Sequence, residues 1–258
     1  MHIDSFGNGS DLVLIHGWAM HGGIFAALTP LLAERFRVHV VDLPGHGYTS
    51  ASDESDESID PARCAAILAA QLPRAIWAGW SFGGLVSLQA ALEHPDRVRG
   101  IVEIAASPKF VAGPDWAHGV AAEIFIEFGA GLLADYRQTI ERFLALETLG
   151  SAHGHDELRA LKAHVFERGE PALPVLEQGL GVLQSTDLRD RLPAMSVPSL
   201  WIAGRRDRLV PSAAMRWAAQ HCPRGEYVEI ASGHAPFLGH AADVASAIAA
   251  FAERIADQ

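Results

Sequence analysis

The chain has 258 residues, 49% of them hydrophobic and 20% charged, with a formal net charge of -11 at pH 7. That apolar content supplies one large buried core or two small ones, and the charge is too low for a disordered chain. The acidic balance excludes a general nucleic-acid binder, whose electrostatic footprint is basic.

Two cysteines, Cys64 and Cys222, lack metal-ligand spacing and do not form a disulfide framework. They read as small buried apolar residues in a reducing compartment. The N-terminus shows no basic segment followed by a long apolar run, and no apolar run is long enough to span a bilayer. A soluble, cytoplasmic protein is expected, monomeric and without a membrane or nucleic-acid partner.

In chain order, 12–15 is a short apolar run, as expected of a strand covered on both faces. His16-Gly17-Trp18 follows it. Residues 24–35 read as a helix with Phe25, Leu28, Leu31 and Leu32 on one side. Residues 38–42 are a second buried strand, and 43–47 its turn-rich exit. The polar, acidic stretch 50–60 reads as a solvated loop. Residues 61–72 are a helix opened by Asp60 as N-cap and Pro61 at its first position. The apolar run 75–78 enters Gly79-Trp80-Ser81-Phe82-Gly83, and the helix-compatible run 85–92 leaves it. Residues 98–105 are the next strand. Strands alternating with helices predict a parallel sheet flanked by helices.

That rhythm then breaks. Between about 109 and 186 no strand is legible. Residues 123–128 (interrupted by Gly129-Ala130-Gly131), 135–149, 154–168 and 173–183 have helical character. Residues 109–186 are therefore expected to form a helical lid over the C-terminal edge of the sheet, where ligands bind in open α/β sheets. Residues 1–108 and 187–258 would form the core domain. The sheet pattern resumes with a strand at 199–203, a loop through Asp207, a helix at 213–221 and a last strand at 226–230. Ser232-Gly233-His234 and a closing helix at 241–255 complete the chain.

The chemistry is concentrated at Gly79-Trp80-Ser81-Phe82-Gly83. Strand, sharp turn and helix make the context of a nucleophile elbow, which aims a serine hydroxyl off the sheet edge. A glycine on either side removes the Cβ atoms that would crowd the turn. A serine hydroxyl needs a neighbouring base at neutral pH. Among 13 histidines, His234 is singled out by its place after the last strand. Asp207 follows the preceding strand and completes the order Ser, Asp, His. Glu103 is a rival acid, but inside a strand it should point away from the edge. A tetrahedral oxyanion needs two main-chain N–H donors. Phe82 supplies one, and Trp18, in the loop after the first buried strand, is chosen for the other. The bland reading of Trp18 and Trp80 is aromatic packing, favoured slightly for Trp80.

His16-Gly17-Trp18, Asp42 to Gly47, Gly79 to Gly83, the Asp207 loop and Gly233-His234 together resemble the α/β-hydrolase superfamily. The resemblance implies a mostly parallel sheet flanked by helices, with a helical lid inserted after the sixth strand. A serine nucleophile separates the chain from relatives that attack with aspartate. Residues 14–18, 41–45, 75–81 and 83–86 are similar to the pimeloyl-[acyl-carrier protein] methyl ester esterases of biotin synthesis. So are 141–150 and 186–189, in and beside the lid.

That family implies hydrolysis of the methyl ester of pimeloyl-[acyl-carrier protein], releasing methanol and leaving the thioester intact, with no metal and no organic cofactor. Its substrate contacts fall on Trp18, Ser81, Phe82, Phe143, Leu144, Ala145, Leu146, Glu147 and His234. Leu144 and Leu146 fit acyl binding and lid packing about equally. The family docks an acidic acyl-carrier protein on lid arginines, here Arg142 and Arg159. Gln138 and His155 stand where further arginines are expected, and residues 137–168 hold five Arg/Lys and five Asp/Glu. Two other readings remain open: a C–C bond hydrolase or lactonase with the same triad, and a non-catalytic receptor using the pocket. A histidine base predicts an acidic limb in the rate profile near the ordinary imidazole pKa of about 6.5. A rate that stays flat down to about pH 5 overturns His234 as base.

Overall fold

The computed structural model describes residues 1–49, 59–148 and 154–256. Most of the acidic stretch 50–60 lies outside the described residues, as do 149–153.

Among the described residues seven strands form one sheet: β1 (His2–Phe6), β2 (Ser10–Ile15), β3 (Phe36–Asp42), β4 (Ala75–Trp80), β5 (Val98–Ile104), β6 (Ser199–Gly204) and β7 (Gly225–Ile230). Their order is β1-β3-β2-β4-β5-β6-β7. All neighbours are parallel except the edge pair β1 and β3. β4 and β6 are buried along their whole length, which is why they read as unbroken apolar runs rather than alternating ones. β1 escapes that reading because it is a half-exposed edge with only Ile3 and Phe6 as large apolar residues.

The chain order reverses at β2, which lies between β3 and β4. In parallel register Ile15 stands beside Gly79, Trp80 beside Ile104, and Gly204 beside Ile230. The segments leaving β2, β4, β5, β6 and β7 therefore emerge along one edge, at the switch point where α/β sheets bind ligands.

The helices of the core are α1 (Thr29–Ala33), α2 (Pro61–Gln71) and α3 (Phe82–Glu93). Asp60 caps α2 through a bond from the Arg63 N–H at 2.9 Å. The helix expected at 24–35 is broken: a short 3-10 turn at Gly22–Phe25 precedes α1, with Pro30 in its first turn. A proline there starts a helix but cannot continue one.

Among the described residues four α-helices stand between β5 and β6: α4 (Ala122–Ala134), α5 (Tyr136–Glu147), α6 (Gly154–His164) and α7 (Leu173–Ser185). This insertion follows the fifth strand in chain order rather than the expected sixth, because a single edge strand, β1, precedes the parallel ones among the described residues. α4 also runs unbroken through Gly129 and Gly131. A Cβ at Gly131 would lie 2.6 Å from Thr139 Oγ1, so that glycine serves the α4–α5 contact rather than ending the helix. Both ends of the insertion meet: the Leu188 N–H bonds Pro108 O at 2.9 Å, and Lys109 Nζ lies 3.0 Å from Asp187 Oδ2.

α8 (Ser212–His221), α9 (Pro236–Gly239) and α10 (Ala241–Ala256) complete the chain. One continuous hydrophobic core joins the sheet to the insertion. No helix among the described residues is long and apolar enough to cross a membrane.

Candidate active site

Ser81 sits between β4 and α3 with φ 54° and ψ -116°. A non-glycine residue held there costs about 1–3 kcal/mol and persists only if its surroundings over-determine it. Here they do. The Ser81 N–H bonds Ile104 O at 3.0 Å, and Ser81 O accepts from the Gly84 N–H at 2.9 Å. A Cβ on Gly79 would lie 2.3 Å from Gly83 O, and one on Gly83 2.3 Å from Ile15 O. The elbow closes because both side chains are missing.

The three side chains singled out from sequence meet. His234 Nε2 lies 2.9 Å from Ser81 Oγ, and His234 Nδ1 2.8 Å from Asp207 Oδ2. Asp207 Oδ1 accepts the Leu209 and Val210 N–H groups at 2.8 and 2.9 Å, which turns Oδ2 toward the imidazole. With the proton on Nδ1, the ring donates to Asp207 and leaves Nε2 free to accept from the serine. All three groups are buried, and Ser81 is 7% exposed.

Trp80 does more than pack. Its indole N–H donates to His234 O at 2.9 Å, fixing the main chain of the histidine loop. The glycine-serine motif drew attention to Trp80, but a bond to a carbonyl far along the chain leaves no sequence signal.

The loop after β2 lies against the serine: a Cβ on Gly17 would stand 3.3 Å from Ser81 Cβ. Beneath it, His16 Nδ1 bonds Gly17 O at 2.8 Å while Nε2 accepts the Leu43 N–H at 2.9 Å. Burial, with His46 nearby, pushes the His16 pKa down to about 3, so the ring is neutral. Burial likewise lowers His46 to about 4. Asp42 is fully buried and accepts from the Gly22 and Tyr48 N–H groups and from Arg168. Burial works to raise its carboxyl, but the neighbouring His16, then the Tyr48 and Gly22 N–H groups and Arg168, outweigh burial and hold the group below the usual range. Neither the Trp18 nor the Phe82 main-chain N–H has an acceptor among the described residues.

The remaining expected residues divide. Phe143 reaches the site region, its ring meeting Trp18 edge-on with centroids 4.8 Å apart. Leu144 is fully buried. Ala145 is exposed and, with Arg142 and Phe128, lines a cavity of 570 Å³ between α4 and α5. The side chains of Leu146 and Glu147 lie outside the described residues. Arg142 and Arg159 are exposed on α5 and α6. Arg142 bonds Gln138 at 2.8 Å, and Arg159 lies 3.6 Å from Asp156. Among the described residues no group of three or more His, Cys, Asp or Glu could hold a metal ion.

Glu103, the rival acid, turns away from His234 as its strand position requires. Its Oε1 lies 2.5 Å from Ser87 Oγ on α3, and burial pushes its carboxyl well above the ordinary carboxylate range.

Comparison with known proteins identifies the family. Residues 12–241 match a family model described as the alpha/beta hydrolase fold. A pimeloyl-[acyl-carrier protein] methyl ester esterase of Xanthomonas oryzae pv. oryzae (strain MAFF 311018) is 54% identical over 252 residues, 97% of this chain and 98% of that one. The esterase of the same name from Stenotrophomonas maltophilia (strain K279a) is 51% identical over 255 residues, covering 97% and 96%. Among solved structures, a bromoperoxidase from Bacillus anthracis superposes with TM-score 0.87 over 97% of this chain and 94% of that one. At 22% identity it speaks for the fold alone.

Glu103 gives a stability prediction. Its folded pKa lies above its unfolded value of about 4.3, so its neutral form supports the fold below that value and the support is lost as pH rises. Glu103→Gln removes this titration, while the buried histidines act alike in both proteins. The melting temperature of the wild type is expected to fall relative to Glu103→Gln as pH rises from about 5 to about 9. A pH-independent difference between the two overturns the assignment.

Proposed function

We infer the reaction from one premise: this chain belongs to the α/β-hydrolase family, among relatives named pimeloyl-[acyl-carrier protein] methyl ester esterase. It is a carboxylic-ester hydrolase. Its substrate is the methyl ester of pimeloyl-[acyl-carrier protein], converted to pimeloyl-[acyl-carrier protein] and methanol in biotin synthesis. The observation that carries this reading is identity above 50% over 97% of the chain, helical insertion included. Short-chain esters are expected to react as well.

Ser81 is the nucleophile. Its Oγ attacks the ester carbonyl as His234 Nε2 takes the hydroxyl proton. The imidazolium is stabilised by Asp207. The negative charge gathers on the carbonyl oxygen, where the Trp18 and Phe82 N–H groups receive it. Collapse expels methanol, protonated by His234, and leaves an acyl-enzyme. Water then attacks with His234 again as base, His234 returns that proton to Ser81 Oγ as the acyl–oxygen bond breaks, and the carboxylic acid departs and ionises in solvent. No step requires a metal or organic cofactor.

Residues 109–186 act as a lid. Ser81 is 7% exposed and His234 1%, so the closed arrangement excludes bulk water and the substrate enters as the lid shifts. The acyl chain is mostly methylene and suits apolar walls such as Phe143, with Leu144 and Ala145 following on the same helix. The acidic carrier protein docks on the exposed face of α5 and α6 through Arg142 and Arg159. The thioester stays outside the site because the methyl ester occupies the far end of the chain. The enzyme works as a cytoplasmic monomer.

Ser81→Ala is expected to reduce turnover of a short p-nitrophenyl ester by about 10⁴-fold or more. Wild-type-like turnover in that variant removes the mechanism. The loaded carrier is expected to be a better substrate than free dimethyl pimelate at low salt. Changing Arg142 and Arg159 to Glu is expected to abolish that preference without lowering the rate on the free ester. Equal rates on both substrates in the wild type overturn carrier recognition and leave the esterase reading intact.

A further inference from the structure

Trp18 is attached at two places. Its main chain belongs to the loop after β2, which packs against Ser81. Its side chain belongs to the helical insertion. The indole N–H donates to Leu176 O on α7 at 2.9 Å. Phe143 on α5 and Phe128 on α4 bring their rings to 4.8 and 6.5 Å from it. Three helices of the insertion thus converge on one core residue that is 1% exposed.

α7 comes this close because residue 179 is glycine. A Cβ there would lie 2.7 Å from Trp18 Cδ1 and 3.1 Å from Nε1, with Phe82 Cε2 next at 3.8 Å. Glycine disfavours a helix interior, so helix formation does not explain its presence. Gly181, two residues on and so on the opposite face of the same helix, has nothing within 4 Å of its missing Cβ. The two glycines share a helix and differ in what they face.

The loop itself is not self-supporting. Ala19, directly after Trp18, has φ 63°. A left-handed alanine is held in place by its surroundings, and the pinned indole is the neighbouring anchor.

We propose that Trp18 couples closure of the helical insertion to the oxyanion site. With the insertion seated, the indole is fixed and its own main-chain N–H is aimed at the tetrahedral oxygen. With the insertion displaced, the indole loses the Leu176 acceptor and the aromatic contacts, and the donor drifts. Gly179 is the positioning residue that lets α7 seat. The inference rests on the reading of the Trp18 N–H as an oxyanion donor. It adds a source of substrate selection: an acyl group that keeps the insertion from seating binds but turns over slowly.

The test compares Gly179→Ala with Gly181→Ala, and Trp18→Phe alone and combined with Gly179→Ala. Each is assayed on a short p-nitrophenyl ester and with an alkyl trifluoromethyl ketone, whose adduct with Ser81 carries an oxyanion. Removing a whole oxyanion donor lowers kcat by about 10²–10³, which bounds the effect of misaligning one. Gly179→Ala is expected to lower kcat about tenfold and weaken the ketone by the same factor, with KM within about twofold. Gly181→Ala is expected to match the wild type in all three. Trp18→Phe loses the bond to Leu176 and lowers kcat. In that background the added Gly179→Ala costs about twofold or less, because the bond that ties residue 18 to α7 is already lost.

Equal effects of the two glycine substitutions overturn the coupling, as does a wild-type kcat and ketone affinity in Gly179→Ala. A Gly179→Ala penalty undiminished in the Trp18→Phe background does so too. If Gly179→Ala does not fold, Trp18→Phe decides: ketone affinity and kcat unchanged in it overturn the coupling. These failures leave Ser81→Ala inactive. Loss of the serine reading itself shows instead as turnover that survives Ser81→Ala.

Discussion

A main chain bent into the left-handed region at Ser81 is the constraint to which the surrounding structure answers. The bend has no support of its own. It is held by a bond to the end of β5, by contact with the end of β2 across Gly83, and by α3 beginning one residue later. Each of those supports is a neighbour only because β2, β4 and β5 run parallel and side by side. The sheet order thus determines more than the address of the hydroxyl. It brings the loop of Trp18, the loop of Asp207 and the loop of His234 to the same edge, where short contacts finish the alignment.

The electrostatics of the interior complement this geometry. Buried titratable groups near the sheet are kept electrically quiet: His16 and His46 stay neutral, and burial works against the charged form of Glu103. Asp42, a buried carboxylate near the Trp18 loop, is surrounded by N–H donors and Arg168. Charge that appears during a reaction at Ser81 is then opposed by few fixed charges of the wrong sign. Preorganised donors act most strongly where no competing field or water must reorganise.

Much of this was legible in the sequence, for definite reasons. Buried strands of a parallel sheet announce themselves as apolar runs, so β2 through β6 could be read and the residues at their exits ranked, while the half-exposed edge strand β7 showed only through Tyr227, Val228 and Ile230. Ser81 and Asp207 were readable because each follows a buried run, and His234 because it follows the last strand. β1 was not, since a half-exposed edge strand carries a weak pattern. The break between Phe25 and Thr29 was hidden because side-chain periodicity continues across it, and α4 passes through glycines that a local rule treats as a stop. Contacts between distant segments left no trace: the Trp80 bond to His234 O, the Leu209 and Val210 amides on Asp207, and the closeness of Gly179 to Trp18 appear only when the chain is folded. The placement after a sixth strand came from the family resemblance rather than from a pattern; the apolar runs alone give four strands before the insertion, one short of the five among the described residues because β1 is unread.

The two ends of the helical insertion meet at Pro108 and Leu188, bound by a main-chain hydrogen bond and by Lys109, Asp115, Asp187 and Arg189. A segment whose ends already touch is a cassette. The entropy of tying off such an excursion grows only with the logarithm of its length, about 0.6 kcal/mol for each doubling. Lineages can therefore lengthen, shorten or exchange what lies between those two points while β5 and β6 remain paired. Substrate range can in this way diverge far faster than the scaffold that performs the bond cleavage.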